Sequence, residues 1–293
     1  MKEYLKSFMT EFEYAEEDIS KLLDAYGKIC GVADARSILE ANIATYEGNV
    51  ECDYTPIIES FAKSAELTGV HEYTVAFVTF LCFTRHAREV YRERGISDEV
   101  YTATMMDLKY KLRECHAVKG VCGTFVATWY PWIFRIQLFT LGRLQYHIRP
   151  LEEEYRSGTK FLEKGTPVLN IHIPADLTPL TAEAVQESFL LAREFFKEEL
   201  GENPAFICRS WLLWPRHEEI LKPTSNILAF YRVFEILDSN TYNGYPALRF
   251  IFDSEETNPD KLPADNSLRR AYVELLRRGE PAGWGYGIAF LNE

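Results

Sequence analysis

The stretch from Val168 to Pro215 limits this chain to few folds. It opens with the apolar, β-prone run VLNIHIP, which stops at Pro174. A helical pattern comes next, with Val185, Phe189, Ala192 and Phe196 spaced by four, three and four. Thr181 stands where an N-cap belongs, Glu183 suits the positive end of the helix dipole, and Gly201 stands where the helix should stop. A second β-prone run covers Phe206–Leu213. Strand, helix and strand in this short compass predict a right-handed βαβ unit with parallel neighbouring strands. Ligands of open α/β sheets bind at the carboxyl ends of the strands, here His172–Pro174 and Ser210–Leu213.

The flanks differ in kind. Before residue 120 the pattern is helical throughout. Short amphipathic runs cover Tyr4–Phe12, Glu16–Tyr26, Ala35–Tyr46 and Ile57–Leu67, and longer ones cover His71–Arg94 and, behind a Ser97 cap, Val100–Cys115. Gly120–Gly123 breaks the pattern. The aromatic stretch Phe125–Phe139 then places Trp129, Trp132, Ile133 and Ile136 at helical spacing. Such a stretch should be buried, both tryptophans included, where the helical part docks on the C-terminal half of the chain. Leu141–Arg149 alternates like a strand, with Arg143, Gln145, His147 and Arg149 on its polar face. EEEYRSGTK is expected to be a turn, SNILAFYRVFEIL a helix capped by Thr224 or Ser225, Tyr245–Phe252 a strand, Leu268–Arg278 a helix, and GWGYGIAFL a final strand. The expected class is therefore α+β. An all-α domain over residues 1–135 precedes an α/β domain with a mixed sheet over residues 136–293.

Charge and cysteine content exclude several functions. The net charge of −12 argues against nucleic-acid binding, which needs clustered Lys and Arg. Only the centre of the chain, residues 101–150, is basic, so an anionic ligand would be received there. Six scattered cysteines form no C-x-x-C pair and suggest neither zinc site nor disulfide framework, but free thiols in a reducing compartment. The N-terminus lacks the apolar core of a signal peptide, and the longest apolar run falls short of the ~20 residues of a membrane helix. A soluble cytoplasmic protein is expected, without a membrane partner. No nucleophile elbow, Walker loop or H-E-x-x-H motif is present.

LGRLQYHI at 141–148, HIP at 172–174 followed by PLT, RSWLL at 209–213 and PTSN at 223–226 resemble a bacterial family. Its members join a helical N-acyltransferase N-terminal domain to a C-terminal domain similar to the GCN5-related N-acetyltransferases (GNAT-like). The likeness runs over nearly the whole chain. It implies an acyltransferase fold and acetyl-coenzyme A or another acyl-coenzyme A as co-substrate, with no metal. It also implies that the two central strands splay at their carboxyl ends to admit the acyl-pantetheine arm. It brings no catalytic residue. The sequence departs from the well-studied acetyltransferases in the loop before the central helix, where a Gly-rich turn would hold pyrophosphate. Pro174–Thr181 has no glycine, two prolines without N–H groups, and the anionic Asp176.

Direct acyl transfer to an amine needs a base, donors to the thioester carbonyl, and an acid for the leaving thiolate. His172 is placed to be the base and Ser210 the donor. Ile173, Thr181, Trp211 and Leu212 border the expected opening and would meet coenzyme A, with Arg143 and Arg149 at its phosphates. Each residue also has an ordinary structural use: a loop histidine, a buried hydroxyl, core apolar groups, a solvated strand face. Cys208 as a nucleophile would need a paired base that the sequence does not display. Two functions fit these residues: an acyl-coenzyme A-dependent transferase acting on the amine of a small molecule or peptide, or a non-catalytic ligand- or partner-binding module on a degenerate transferase fold.

Overall fold

Six helices account for the first 119 residues: α1 (Lys2–Glu11), α2 (Glu16–Gly31), α3 (Ala33–Gly48), α4 (Thr55–Thr68), α5 (Glu72–Glu93) and α6 (Asp98–Lys119). Helix α5 is the axis of the group. Every residue from Thr74 to Thr84 is buried, so it is apolar on all sides and wrapped by its neighbours. The computed structural model describes residues 1–241 and 247–291, and the chain divides into two compact units, Met1–Phe139 and Thr140–Glu293. Among the described residues no single helix is long and apolar enough to cross a membrane.

The aromatic stretch closes the core of the helical unit. After a 3₁₀ turn at Ala127–Trp129, α7 (Tyr130–Phe134) lays Tyr130 and Phe134 parallel to Phe80, with ring centroids 4.4 and 5.6 Å away. Removing the Phe80 ring would cost about 3–5 kcal/mol. The buried stripe is Tyr130, Ile133 and Phe134. The expected Trp129–Trp132–Ile133–Ile136 stripe does not form, because the backbone turns at Ile136, where φ is +56°. Trp132 is 39% exposed, contrary to expectation, whereas Trp129 donates its indole N–H to Asp107 at 2.8 Å.

The second unit runs β1 (Phe139–Leu141), β2 (Leu144–Pro150), β3 (Tyr155–Ser157), β4 (Lys160–Leu162), β5 (Pro167–His172), α8 (Ala182–Phe195), α9 (Lys197–Leu200), β6 (Ala205–Ser210), α10 (His217–Ile220), α11 (Asn226–Tyr231), β7 (Glu235–Thr241), α12 (Ala247–Phe252), α13 (Ser267–Arg277) and β8 (Gly283–Phe290). Six strands make one mixed sheet in the order β1-β2-β5-β6-β8-β7, and β3 and β4 form a separate hairpin. Strands β5 and β6 are parallel, joined through α8 as the βαβ pattern requires; β2–β5, β6–β8 and β7–β8 are antiparallel. Helix α8 covers one face, with Phe189 stacked on Phe206 at 4.3 Å. Val168, Ile207, Ile288, Leu151 and Tyr155 form a core cluster around the other.

Several elements differ from the sequence expectation. The alternation over Leu141–Arg149 is broken by a turn at Gly142–Arg143, where Gly142 has φ +67°. The polar EEEYRSGTK segment contributes to the β3–β4 hairpin. The run ending at Leu213 stops as a strand at Ser210 and continues as a 3₁₀ turn, Trp211–Leu213. The helix after Ser225 ends at Tyr231, and the polar Glu235–Thr241 is the exposed edge strand β7. Ala247–Phe252 is a helix rather than a strand; Tyr245 and Pro246 lie outside the described residues.

Candidate active site at the divergence of two parallel strands

Strands β5 and β6 pair over only two positions, Leu169 with Phe206 and Asn170 with Ile207. Beyond them each strand keeps its outer partner and loses the inner one. Ile171 and His172 remain paired to Tyr146 and Gln145 of β2, while Cys208, Arg209 and Ser210 remain paired to Gly287, Tyr286 and Gly285 of β8. The parallel strands therefore part where the sequence places the site. The facing backbone groups of residues 171–172 and 208–210 are released from the ladder and need other partners. Pro174 keeps the gap open by offering no N–H to a neighbouring strand.

Register fixes which side chains share a face. Asn170 and Ile207 lie side by side, so His172 falls on the face of Ile207 and Arg209, and Ser210 on the opposite face with Phe206 and Cys208. The structure does not bring His172 and Ser210 together. It joins His172 instead to three residues of one polar patch. Cross-strand pairing sets Gln145 opposite His172 and His147 opposite Asn170. The His172 Nε2 is hydrogen-bonded to Asn170 Nδ2 at 2.9 Å and to His147 Nδ1 at 3.1 Å, and the two imidazoles stack with centroids 5.0 Å apart. This face is not solvated: Gln145, His147 and Asn170 are 1%, 5% and 6% exposed, and His172 is half-buried. Burial, assisted by the charge of Arg149, pushes His147 down to about 4. Its ring is neutral at pH 7 and serves as a hydrogen-bonding platform for His172.

In the Pro174–Thr181 loop the aspartate already has its partners. The Arg143 guanidinium donates to the carbonyls of Pro174 (3.0 Å) and Thr178 (3.2 Å) and lies 3.2 Å from Asp176 Oδ1. Asp176 also accepts from the amide and hydroxyl of Thr178, both at 2.9 Å. Asp176 is thus neutralised by the arginine that sequence reasoning assigned to phosphate, and Arg143 braces the loop. Arg149 pairs with Glu152. The Thr181 hydroxyl accepts from Ala184 N at 3.2 Å and caps α8, whose first turn points toward the loop end of the gap. Ile173 is half-buried between His172 and the loop.

Buried Ser188, which sequence reasoning missed, ties α8 to the sheet. Its hydroxyl donates to the Leu141 carbonyl, accepts from Leu144 N at 3.1 Å and meets Tyr146 Oη at 2.8 Å. On the β6 lip, the Ser210 hydroxyl accepts from Leu212 N at 3.2 Å and caps the 3₁₀ turn. Leu212 is buried, and half-buried Trp211 meets His217 and Tyr272 edge-on. His217 was equally hidden in the sequence. It is fully buried, its Nδ1 donates to the Leu212 carbonyl at 3.4 Å, and its Nε2 therefore accepts from Tyr272 Oη at 2.6 Å. Cys208 is buried and burial pushes its thiol up, so it is no nucleophile.

On the sheet face that carries His172, Arg209 and Tyr286 help line a cavity of ≈ 540 Å³. Its wall is acidic, with Glu152, Glu235 and Asp238 among the lining residues, and Tyr155 donates to Glu235 at 2.7 Å.

Comparison with known proteins accounts for this architecture. Residues 3–136 match the N-acyltransferase N-terminal domain model, and residues 138–289 match the GNAT-like C-terminal domain model. A crystal structure of an acyltransferase with decanoyl-CoA superposes with a TM-score of 0.78 at 23% identity, covering 98% of this chain and 88% of that one. A mutant acyltransferase with octanoyl-CoA gives 0.77 at 25% identity over 99% and 88%. An acyltransferase with decanoyl-CoA and teicoplanin gives 0.74 at 24% over 98% and 88%. No curated protein matches the chain. With its parted strands, capped crossover helix and two matched domains, the chain belongs to the family that joins an N-acyltransferase N-terminal domain to a GNAT-like C-terminal domain.

Proposed function

We propose that this protein transfers an acyl group from an acyl-coenzyme A to an amine of a small molecule or peptide. The observation that carries the reading is the parting of β5 and β6 after a two-position ladder, which leaves backbone donors and acceptors facing a gap. The amide-bearing pantetheine arm supplies the complementary groups. The first turn of α8 would receive the pyrophosphate, since its amides and dipole favour an anion and Asp176 is already paired with Arg143. The relatives solved with octanoyl- and decanoyl-CoA support a medium-chain acyl donor, and the one solved with teicoplanin supports an acceptor of peptide origin. The described cysteines are all free, which fits a reducing, cytoplasmic setting in a bacterium.

In this reading the acceptor nitrogen attacks the thioester carbonyl carbon, a C–N bond forms, the C–S bond breaks, and the thiolate of coenzyme A leaves and takes up a proton. His172 removes the proton from the attacking amine. Its Nε2 accepts from the Asn170 amide, so Nε2 is the basic nitrogen of the neutral ring and takes the amine proton by releasing that contact. Ser210 positions the opposite lip by capping the Trp211–Leu213 turn. The acidic cavity on the same sheet face attracts an acceptor that arrives as an ammonium ion and gives one proton to solvent before its nitrogen attacks.

The experiment is direct. Octanoyl-CoA and decanoyl-CoA are added to the purified protein and the melting temperature is followed, then candidate amines are screened by mass spectrometry for the acyl mass increment. Stabilisation with turnover supports the transferase. Stabilisation without turnover of any amine supports a ligand-binding module. No stabilisation at millimolar acyl-CoA overturns the transferase.

A further inference from the structure

The helical unit holds a cluster of side chains that the transfer reaction does not use. Asp18 stands in the first turn of α2, His116 in the last turn of α6, and Cys122 two residues past Gly120, where α6 ends in a left-handed turn. The segment carrying Cys122 is clamped to the start of α5. The Thr74 hydroxyl donates to the Cys122 carbonyl at 2.7 Å, and Thr124 N donates to the Tyr73 carbonyl at 2.9 Å. Gly123 approaches so closely that a Cβ there would lie 2.4 Å from the Tyr73 carbonyl. Cys122 is thereby held against two helix ends. His116 Nε2 lies 2.8 Å from Asp18 Oδ1, Cys122 Sγ lies 3.7 Å from the same oxygen, and the three ligand atoms fall within 4.8 Å of one another.

These separations are close to those of a tetrahedral metal. With Zn–N and Zn–O of about 2.05 Å and Zn–S of about 2.3 Å, nitrogen and oxygen ligands sit ~3.3 Å apart and sulfur and oxygen ~3.6 Å apart. The cluster reaches that geometry if His116 and Asp18 separate by about 0.5 Å. A second observation points the same way. Tyr14 is 5% exposed, its hydroxyl has no hydrogen-bond partner, and the charges of Asp107, Asp18 and Cys122 act on it. A buried, unpartnered hydroxyl within reach of these charges can accept or donate one further hydrogen bond.

We propose that Asp18, His116 and Cys122 bind one divalent, borderline-soft cation of the zinc class, with a water molecule as fourth ligand hydrogen-bonded to Tyr14. The residue types suit it: one imidazole, one thiolate and one carboxylate neutralise a dication, and three protein ligands with a water are a common zinc arrangement. On binding, the His116 proton moves from Nε2 to Nδ1 and the Cys122 proton leaves for solvent. A thiol becomes a ligand by exchanging its proton for the cation. Lys21, the nearby cation, is paired with Glu17 at 2.6 Å. The metal would join α2, α6 and the loop after α6.

The test uses the full-length, chelator-treated protein and the metals alone. Zinc titrated by calorimetry is expected to bind at one equivalent and to raise the melting temperature. Cobalt(II) is expected to give thiolate charge-transfer absorption in the near ultraviolet. Cys122→Ser should abolish that absorption, and Cys122→Ser and His116→Asn should each weaken zinc by more than the ~10–100-fold that outer-sphere changes cost. Zinc should also shield the Cys122 peptide of the wild-type protein from iodoacetamide while leaving Cys30 and Cys52 unshielded, a readout that does not depend on a variant folding. Absence of one-equivalent binding, cobalt absorption unchanged in Cys122→Ser, or equal alkylation of Cys122 with and without zinc overturns the proposal. None of these measurements depends on acyl transfer.

Discussion

His172 and His147 are chemically unequal although their rings touch. His147 is buried and held near 4, whereas His172 is half-buried at a strand end. His172→Ala is expected to lower kcat/KM by about 10²–10⁴-fold with little change in melting temperature, and an unaltered rate in a folded variant would move the base elsewhere. Burial also pushes His217 down to about 4. In the unfolded chain both rings titrate near 6.5, so the unfolded state binds protons first as pH falls. The stability they contribute is whole above about pH 6.5 and is lost progressively toward about pH 4, at up to ~1.4 kcal/mol per pH unit for each ring. Urea midpoints from pH 7 to 4.5 should fall more steeply for wild type than for the His147→Gln/His217→Gln double variant; parallel curves would refute this. His172 was legible because it ends a β-prone run. Ser188 and His217 were not, because a polar residue on a helix looks alike in sequence whether it meets water or a strand.

At the scale of elements, the βαβ unit was legible from periodicity and caps alone: Thr181 caps α8, and the two strands lie parallel. The run Ala247–Phe252 misled because five aromatic and aliphatic residues around one arginine suit a strand and a buried helix turn equally. Strand β7 misled in the opposite sense. Nearly all of it is exposed, so it carries no apolar alternation, and its place comes from pairing with β8. Strand β8 is glycine-rich for a steric reason. A Cβ on Gly285 would lie 2.0 Å from the Leu213 carbonyl oxygen, so the turn beyond Ser210 rests directly on bare backbone. Gly285→Ala should cost more than the ~1–3 kcal/mol of ordinary overpacking, measured by chemical denaturation, because a carbonyl cannot swing aside as a side chain does. Ser210→Ala should cost only about 0.5–2 kcal/mol, the loss of a cap, and leave a measurable rate. A loss of activity as deep as that of His172→Ala would restore Ser210 to the chemistry.

Across the whole molecule, the positive balance of residues 101–150 is real in sequence but partly spent in structure: Arg143 holds the Pro174–Thr181 loop and Arg149 faces Glu152. Charge counting locates such a region and cannot see which cations already have partners. Arg143→Ala should therefore weaken acyl-coenzyme A binding by loosening the loop, seen as faster proteolysis within residues 174–181 together with a higher Kd. Arg149→Ala should change affinity far less, with a shallower salt dependence. Equal effects of the two substitutions would return both to direct phosphate contact. The two-position ladder between β5 and β6 has a consequence for how such an enzyme can diversify. Its gap is lined by main chain, which every sequence possesses, so the proposed grip on the invariant part of the donor would survive almost any side-chain change that preserves the sheet. Preference for one acyl chain or one amine has to be written in the side chains around that slot. Donor recognition and substrate choice are then separately inherited, and selection can rewrite the second without endangering the first.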